Sequence, residues 1–277
     1  GGANYVARTA GAHGNNLLVS TCPSATAYSQ TLSTGNQIAS AGAVGDTSVT
    51  VDDVDLADNV ISVGDIIQFS STADATDFDD GEFYRVTAIN TGTNVVNIVQ
   101  HPRGSGGLKR VVADNSRIKR RWRYYDAVDG GAPGTSAYVS DRSGSGDEIH
   151  VVVVDEDGGI TGVPGQILET FSKLSKAADA LTPQGDSNYL PTVIRNQSKH
   201  IYWVDWPTAG TNWGSNAAST TFTAINTNTL ASLSGGADGS TVTDGQLQDA
   251  YEKFQDSETV DVGLIIAGPS GSTAHID

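Results

Sequence analysis

The chain has 277 residues, of which 38% are hydrophobic, enough for one large domain or two ordinary ones. Its formal net charge of −16 argues against nucleic acid as a partner, because a phosphate backbone needs a basic surface, and against anionic membrane surfaces. No apolar run approaches the ~20 residues that a membrane span requires. Cys22 is the only cysteine, which excludes an intrachain disulfide and a cysteine-based metal site, and we expect it to be small buried filler.

The first segment predicts two short strands. Tyr5–Ala7 and residues 17–19 are apolar and flank a Gly-Asn turn. The sequence contains no methionine and opens with the strand-like pattern GGANYVART. We therefore expect a piece of a longer polypeptide, with a processed mature protein as the alternative.

Residues 37–108 are predicted to be an inserted all-β module. Apolar and polar residues alternate in TSVTVDDVDL, VISVGDIIQFS, EFYRVTAIN and NVVNIVQH, as in half-buried strands. A Thr-Gly-Thr turn at residues 91–93 joins the last two. Short strands with polar turns and no helical period indicate a small barrel or sandwich.

The charge reverses between residues 109 and 123, a segment we call the basic strip. Its seven basic residues are Lys109, Arg110, Arg117, Lys119, Arg120, Arg121 and Arg123. The strip would dock onto the acidic face of a neighbouring copy, where complementary charge sets register and encounter rate. The alternative is a solvated strand or loop that pairs with local acids. Nucleic-acid stacking on Trp122, Tyr124 and Tyr125 is a third, disfavoured interpretation because of the overall charge.

The pattern becomes mixed α/β after the strip. WRYYDAV is a strand candidate, and a long small-residue loop follows it. The β-branched run EIHVVVVDE is typical of a strand covered on both faces. Asp157-Gly158-Gly159 predicts a turn, and apolar residues at helical spacing predict an amphipathic helix over Gly165–Asp179.

The last third of the chain is predicted to alternate between strands, loops and one helix. A connecting loop leads to the second buried strand, HIYWVDW, and Pro207–Thr241 is expected to be a long surface excursion. Thr243–Asp256 predicts a helix, with Gln246 completing a capping box on Thr243. Val260–Ala267 predicts a closing strand.

Three blocks of the sequence resemble contractile phage tail sheath proteins. The longest, residues 147–206, runs from DEIHVVVVDEDGGITG through ILETFSKLSKAADA to SNYLPTVIRNQSKHIYWVDW. A second block, residues 233–271, has a Leu-x-Gly-Gly turn, an acidic helix and a VDV strand that ends in a glycine loop. The strands of residues 1–20 precede both, with His13 where the family usually has tryptophan.

The resemblance implies an α/β fold, with a mixed α+β core sheet and flanking helices plus the inserted all-β barrel or sandwich module. Residues 1–36 would give the first strands of the core domain, residues 37–108 the outward-facing module, and residues 109–277 the rest of a core truncated at its C-terminus.

The function implied by the resemblance is that of a structural subunit of a bacteriophage contractile tail sheath, not of an enzyme, with no cofactor and no metal. Full-length copies would stack as hexameric rings around the tail tube protein, with strand-adding arms, and contract to drive the tube through the host envelope. The baseplate and the tail terminator would be further partners, with no nucleic acid and no membrane insertion. The location would be the virion, and the host cytoplasm during assembly.

Two alternatives stay open. A sheath of a bacterial contractile injection device shares the family's core. From another class, the β-module would be a displayed adhesin domain that binds carbohydrate or calcium. Because the sequence lacks both terminal arms and the tube-facing region of the family, we expect the chain alone to be a soluble monomer.

The candidate subunit interface combines opposite charges and one aromatic residue. Besides the basic strip, it contains Trp213, in a polar loop, and the acidic residues of the last helix. Those acids are Asp244, Asp249, Glu252 and Asp256.

Several candidate sites are disfavoured by their spacing. Asp147, Glu148 and His150, with acids at 155–157, suggest a metal site, but the resemblance to sheath proteins implies that they bracket a structural strand and turn. Acids at positions 74, 77, 79 and 80 lack the order and the distal glutamate of a calcium loop. The GPSG sequence at 268–271 followed by His275 is not a nucleophile elbow. There is no P-loop and no dinucleotide-binding fingerprint.

Overall fold

The computed structural model describes residues 4–57, 60–78, 81–240, 242–256 and 258. The chain divides into two compact units, Gly1–Gly236 and Ala237–Asp277. The predicted strand Val260–Ala267, the GPSG sequence and His275 lie outside the described residues.

Most of the regular structure is β. The strands are β1 (Tyr5–Ala7), β2 (Leu17–Cys22), β3 (Ser29–Thr31), β4 (Ser48–Thr50), β5 (Ile66–Ala73), β6 (Phe83–Asn90), β7 (Val95–His101), β8 (Ser116–Arg121), β9 (Glu148–Asp155), β10 (Gln166–Ser175), β11 (Ile201–Trp203) and β12 (Thr229–Ser232). The helices are α1 (Ala25–Tyr28), α2 (Ala137–Ser140), α3 (Leu190–Gln197) and α4 (Asp244–Glu252), and a 3₁₀ helix spans Ala12–Asn16. The described chain is therefore a mostly-β fold with several sheets and few helices.

Three antiparallel sheets organise the described residues of the first unit. β1 pairs with β11, a four-stranded sheet has the order β10-β9-β2-β12, and a six-stranded sheet has the order β3-β8-β5-β6-β7-β4. In the four-stranded sheet, Val19 lies opposite Val153 on β9. The strands predicted at Tyr5–Ala7 and at residues 17–19 are confirmed as β1 and β2.

The predicted buried strand EIHVVVVDE is confirmed as β9, in which every residue is buried. Its side chains alternate between two cores. Val151 and Val153 belong to the cluster that contains Trp213, whereas Val152 and Val154 pack in the cluster that contains Trp122. Coverage of both faces explains why an uninterrupted apolar run is favourable here.

The helix predicted over Gly165–Asp179 is wrong: the segment forms β10, which pairs with β9. The register shifts twice, between Ile167 and Glu169 and between Phe171 and Leu174. Each bulge inserts one extra residue into the strand. Leu168, Phe171 and Leu174 therefore reach the same core at a spacing of three, which resembles a helical period.

The predicted β-module is part of the six-stranded sheet. The predicted strands EFYRVTAIN and NVVNIVQH are confirmed as β6 and β7, joined by a turn at residues 91–94. Only the second half of VISVGDIIQFS is a strand, β5. The sheet also includes β3 and β8, which lie outside residues 37–108 on either side. Its core is formed by residues such as Ile38, Phe69 and Ile98.

Other predicted elements need correction. WRYYDAV forms turns, and the strand is the preceding β8. HIYWVDW contributes only the short β11, in which Tyr202 is exposed. α3 replaces part of the expected connecting loop, and Pro207–Thr241 includes β12 and the buried Phe222.

The second unit contains the predicted capped helix. α4 begins after Thr243, whose hydroxyl accepts a hydrogen bond from the Gln246 backbone N–H, and the Gln246 side chain accepts one from the Thr243 backbone N–H. The capping box is confirmed, and the helix ends at Glu252.

Candidate interaction surfaces and buried polar clusters

The basic strip is divided between two faces of β8. Burial alternates along the strand, so Ile118 and Arg120 face inward while Arg117, Lys119 and Arg121 are half-buried on the other face. A strand with period two distributes its side chains in this way. The strip is therefore not one continuous exposed surface.

Most of the strip's cations already have partners within the chain. The Arg110 guanidinium donates to the carbonyl oxygens of Phe69 and Ser70, and the Arg117 guanidinium donates to that of Leu32. Arg110 also forms an ion pair with Glu82 at 3.9 Å, and three further cations of the strip make cation–π contacts. Lys119 lies 5.6 Å from the Phe78 ring centroid, Arg121 lies 5.0 Å from that of Phe83, and Arg123 lies 5.3 Å from that of Tyr124. Lys109 is exposed.

Arg120 is fully buried, with 0% of its surface exposed. Its Nη2 donates to the carbonyl oxygens of Thr26 and Asn226 and to the Gln30 side chain. Nη1 lies 3.9 Å from a carboxylate oxygen of Asp65. Arg120 therefore joins the six-stranded sheet to the segment that leads into β12, and it has no surface with which to dock onto another copy.

Asp65 completes this buried cluster. Its carboxylate accepts hydrogen bonds from the Asn228 amide and the Ser62 backbone N–H. Burial raises the pKa of Asp65 to about 6, against the opposing effects of Arg120 and these hydrogen bonds. The cost of desolvation thus outweighs the ion pair at this site.

Trp213, predicted as an inter-subunit contact, lies in the core of the first unit, with 8% of its surface exposed. Its Nε1 donates to the carbonyl oxygen of Thr223, and its ring meets Trp206 edge-on at 5.5 Å. The Lys176 ammonium lies 4.6 Å from the Trp213 ring centroid. The polar composition of the loop concealed this burial, because the loop folds back so that Trp206 and Thr223 contact the ring while Lys176 approaches it from another segment.

The predicted acidic residues of the interface belong to the second unit. Asp249 and Glu252 are exposed on α4, and Asp256 is exposed four residues beyond its end. Asp244 is the first residue of the helix, and its side chain lies outside the described residues. Acids in the first turn also interact favourably with the helix dipole.

The acidic residues at the start of β9 hold the structure together. The Asp147 carboxylate accepts hydrogen bonds from the Ser136 backbone N–H, the Ser136 hydroxyl and the Ser175 hydroxyl. Glu148 accepts one from the Gly134 N–H and lies 3.7 Å from the Lys173 ammonium. Across the described ranges, no group of three His, Cys, Asp or Glu side chains is placed to hold a metal ion.

Asp155 organises the tight turn after β9. Its Oδ2 accepts hydrogen bonds from the Ile160 N–H and from the Thr161 N–H and hydroxyl. Burial raises the pKa of the Asp155 carboxyl, but these hydrogen bonds outweigh that effect and hold the pKa below its usual value. The carboxylate of Asp155, the last residue of β9, thus holds the DGGITG turn that follows the strand.

Acidic side chains in residues 74–78 also accept hydrogen bonds from other side chains of the same chain. Asp74 accepts a hydrogen bond from the Gln37 amide, and Asp77 accepts one from the Ser71 hydroxyl. Asp79 and Asp80 lie outside the described residues.

His150 is buried and hydrogen-bonded at both ring nitrogens. The Lys173 backbone N–H donates to Nδ1, so Nε2 carries the proton and donates to the Gly131 carbonyl oxygen. The ring stacks on Trp122 at an interplanar angle of 8°. Burial lowers the pKa of His150 because the charged imidazolium would be desolvated, and a second proton would also displace the Lys173 N–H.

We expect protonation of His150 to destabilise the fold in acid. The unfolded chain has the ordinary histidine pKa of about 6.5, so it binds more protons than the folded chain below that pH. The free energy of unfolding should therefore fall as the pH falls below about 6.5, and His150→Phe should reduce this dependence. Urea unfolding at several pH values measures it, with the exposed His13→Gln as control. An unchanged pH profile in His150→Phe would contradict the assignment.

Lys176 and Cys22 are two further buried ionisable residues, and only the burial of Cys22 was predicted from the sequence. Lys176, with 1% of its surface exposed, donates from Nζ to the carbonyl oxygens of Pro23 and Gly146, and burial lowers its pKa to about 8. The burial of Lys176, which directly follows β10, was not predicted because this segment was expected to be a helix. The prediction that Cys22 is buried is confirmed, and burial raises the pKa of its thiol to about 12.

The four-stranded sheet has two edges within the described part of the chain. β10 and β12 are its outer strands. An isolated parallel bridge joins Ser175 to Tyr189, so the outer edge of β10 is occupied at its C-terminal end. Edge strands offer backbone hydrogen-bonding groups to an added strand.

The longest helix in the described ranges has nine residues, and none there is long and apolar enough to cross a membrane. No protein-family model matches the sequence, and a search of curated proteins found no match.

Proposed function

We propose that this chain is a structural subunit of the contractile tail sheath of a bacteriophage. The observation that carries the proposal is the block of residues 147–206, the longest stretch that resembles the family. It forms a contiguous series of β9, the Asp155 turn, β10, α3 and β11. The mixed α/β core with flanking helices, as in the family, is part of the proposal.

The use of polar side chains within this block supports a mechanical role. Asp147 and Asp155 hold backbone segments, and His150 bridges the Lys173 N–H and the Gly131 carbonyl oxygen. Buried side chains that hold backbone groups by hydrogen bonds in this way stiffen a subunit. A subunit that moves as a rigid body during contraction requires such stiffness.

The edges of the four-stranded sheet support assembly by strand addition. Arms of neighbouring copies would pair with β10 or β12, as the resemblance implies. Contacts of this head-to-tail kind do not close on themselves, and they generate a helical array.

The burial of each residue in the basic strip limits which of its cations could contact a neighbouring copy in such an array. Arg120 is buried, whereas Lys109 is exposed and Arg121 is half-buried beside aromatic rings. We therefore assign docking on an acidic neighbour to the exposed and half-buried members of the strip.

Co-sedimentation with tail tubes tests the proposal. The natural gene product that contains this sequence should pellet with tubes of its tail tube protein, and Lys109→Glu with Arg121→Glu should reduce the pelleted fraction about tenfold, because like charges meet at the interface. Arg142→Glu, another arginine that lies over an aromatic ring, is the matched control. Wild-type protein that stays in the supernatant would contradict the function. Unchanged pelleting of the double variant would contradict only the docking role of the strip.

A further inference from the structure

A cavity of about 210 Å³ opens beside the six-stranded sheet. Its lining is unusual for this acidic protein because the ionisable side chains in it are basic or phenolic. The lining residues are Arg85, His101, Pro102, Gly104, Arg123 and Tyr124.

The sheet register brings the cations together. On β6 and β7, Arg85 lies opposite Val99, and Phe83 lies opposite His101. Arg85 and His101 are therefore diagonal neighbours on one face of the sheet. Arg123 follows β8, and its side chain runs beside Gly64. A Cβ atom added to Gly64 would lie 3.4 Å from the Cδ atom of Arg123.

The two guanidinium groups have no carboxylate partner among the described residues. The ion pairs found there are Arg110 with Glu82, Arg120 with Asp65, and Lys173 with Glu148. Burial lowers the pKa of the half-buried His101 and outweighs the opposing carboxylate of Asp126, and the nearby charges of Arg85 and Arg123 lower the pKa further. Positive charge thus accumulates in a partly desolvated cavity.

Tyr124 gives a second and independent sign of a ligand. It is 5% exposed, and its hydroxyl is buried without a hydrogen-bond partner among the described residues. Burial also raises the pKa of Tyr124, so the hydroxyl keeps its proton and remains a donor. A buried hydroxyl without a partner is unfavourable, and an acceptor in the cavity would satisfy it.

We propose that this cavity binds an oxyanion, either a carboxylate or a phosphate group, between the guanidinium groups of Arg85 and Arg123, with the Tyr124 hydroxyl as a further donor. Planar guanidinium groups match both oxyanions through paired N–H donors. Phosphate fits a cavity of this size. The proposal does not depend on the sheath function, since it needs only the folded first unit.

Calorimetric titration of this chain with inorganic phosphate, at constant ionic strength, tests the site. Saturable binding is expected, with the dissociation constant at least about tenfold higher in Arg85→Gln with Arg123→Gln, because charge-assisted hydrogen bonds are lost. The exposed Arg103→Gln changes the charge equally on the neighbouring loop and should bind as the wild type does. Absence of saturable binding to the wild type would overturn the proposal, as would equal binding by the double variant.

A milder variant covers the case in which the double variant fails to fold. Tyr124→Phe keeps the ring and removes only the hydroxyl without a partner, so the fold should persist while phosphate binds about threefold to tenfold more weakly. Unchanged affinity in Tyr124→Phe would remove that residue from the site, and with it the second observation on which the proposal rests.

Titration with acetate then distinguishes the source of the oxyanion. Acetate that binds at least as tightly as phosphate would assign the cavity to an acidic side chain, and much weaker binding of acetate would assign it to a phosphate group. Either result supports an oxyanion site in the cavity and differs only in the kind of oxyanion that it binds. Because the titration uses the isolated chain, its failure would leave co-sedimentation with tail tubes unaffected, and the two proposals can fail separately.

Discussion

Arg120→Ala is expected to lower the free energy of unfolding by about 3–5 kcal/mol, as expected when one partner of a buried ion pair is removed. The substitution would leave Asp65 buried without its cation and would deprive the carbonyl oxygens of Thr26 and Asn226 of their donor. Urea unfolding at pH 8, above the raised pKa of Asp65, measures the effect. The exposed Lys109→Ala should change stability by less than about 0.5 kcal/mol.

A double variant separates the charge from the packing. Asp65→Asn combined with Arg120→Ala should recover part of the loss, since no carboxylate then remains buried without its cation. If Arg120→Ala costs less than about 1 kcal/mol, or if the second substitution makes the loss larger, then the buried cluster does not join the two parts of the first unit as described.

Trp213→Ala should lower the free energy of unfolding by about 3–5 kcal/mol, the range for buried aromatic residues. The variant would lose the edge contact with Trp206, the hydrogen bond to the Thr223 carbonyl oxygen and the ring beneath the Lys176 ammonium. Thermal and urea unfolding of the isolated chain measure this loss.

The matched control is Tyr202→Ala, because Tyr202 is an exposed aromatic residue that lies under the Arg8 guanidinium. It should cost less than about 1 kcal/mol. If Trp213→Ala left the stability of the isolated chain unchanged and weakened only assembly, the original prediction of Trp213 as an inter-subunit contact would be right, and its assignment to the core would be wrong.

Sequence patterns predicted the elements whose cause is local. The uninterrupted β-branched run defines β9 because both faces of that strand are covered. The capping box at Thr243 depends on residues three apart, and it formed as predicted. β6 and β7 are joined by a short turn and their sequences alternate enough to predict both strands, although their register shifts once between Val86 and Ala88.

The errors arose where the three-dimensional arrangement of the chain, and not the local pattern, decides the outcome. The two bulges of β10 are set by its register with β9, and they changed a strand pattern into one with helical spacing. Trp213 is buried by Trp206 and Thr223, which a local polar composition does not reveal. The burial of Arg120 was predictable from the sequence, because Arg120 follows the core residue Ile118 by two positions in a strand and therefore lies on the same face.

The oxyanion cavity depends entirely on tertiary structure. Arg85, His101 and Arg123 come from three segments that only the sheet register brings together. The sequence showed an excess of basic residues between 109 and 123, but it did not show which of them have partners inside the chain.

Negative-stain electron microscopy of the natural gene product that contains this sequence, expressed with its tail tube and baseplate proteins, tests the central claim most directly. We expect ribbed tubes that are wider than the bare tail tube, some of them shortened and thickened by contraction. Bare tubes on assembled baseplates, with this protein dispersed beside them, would contradict the assignment to a contractile sheath.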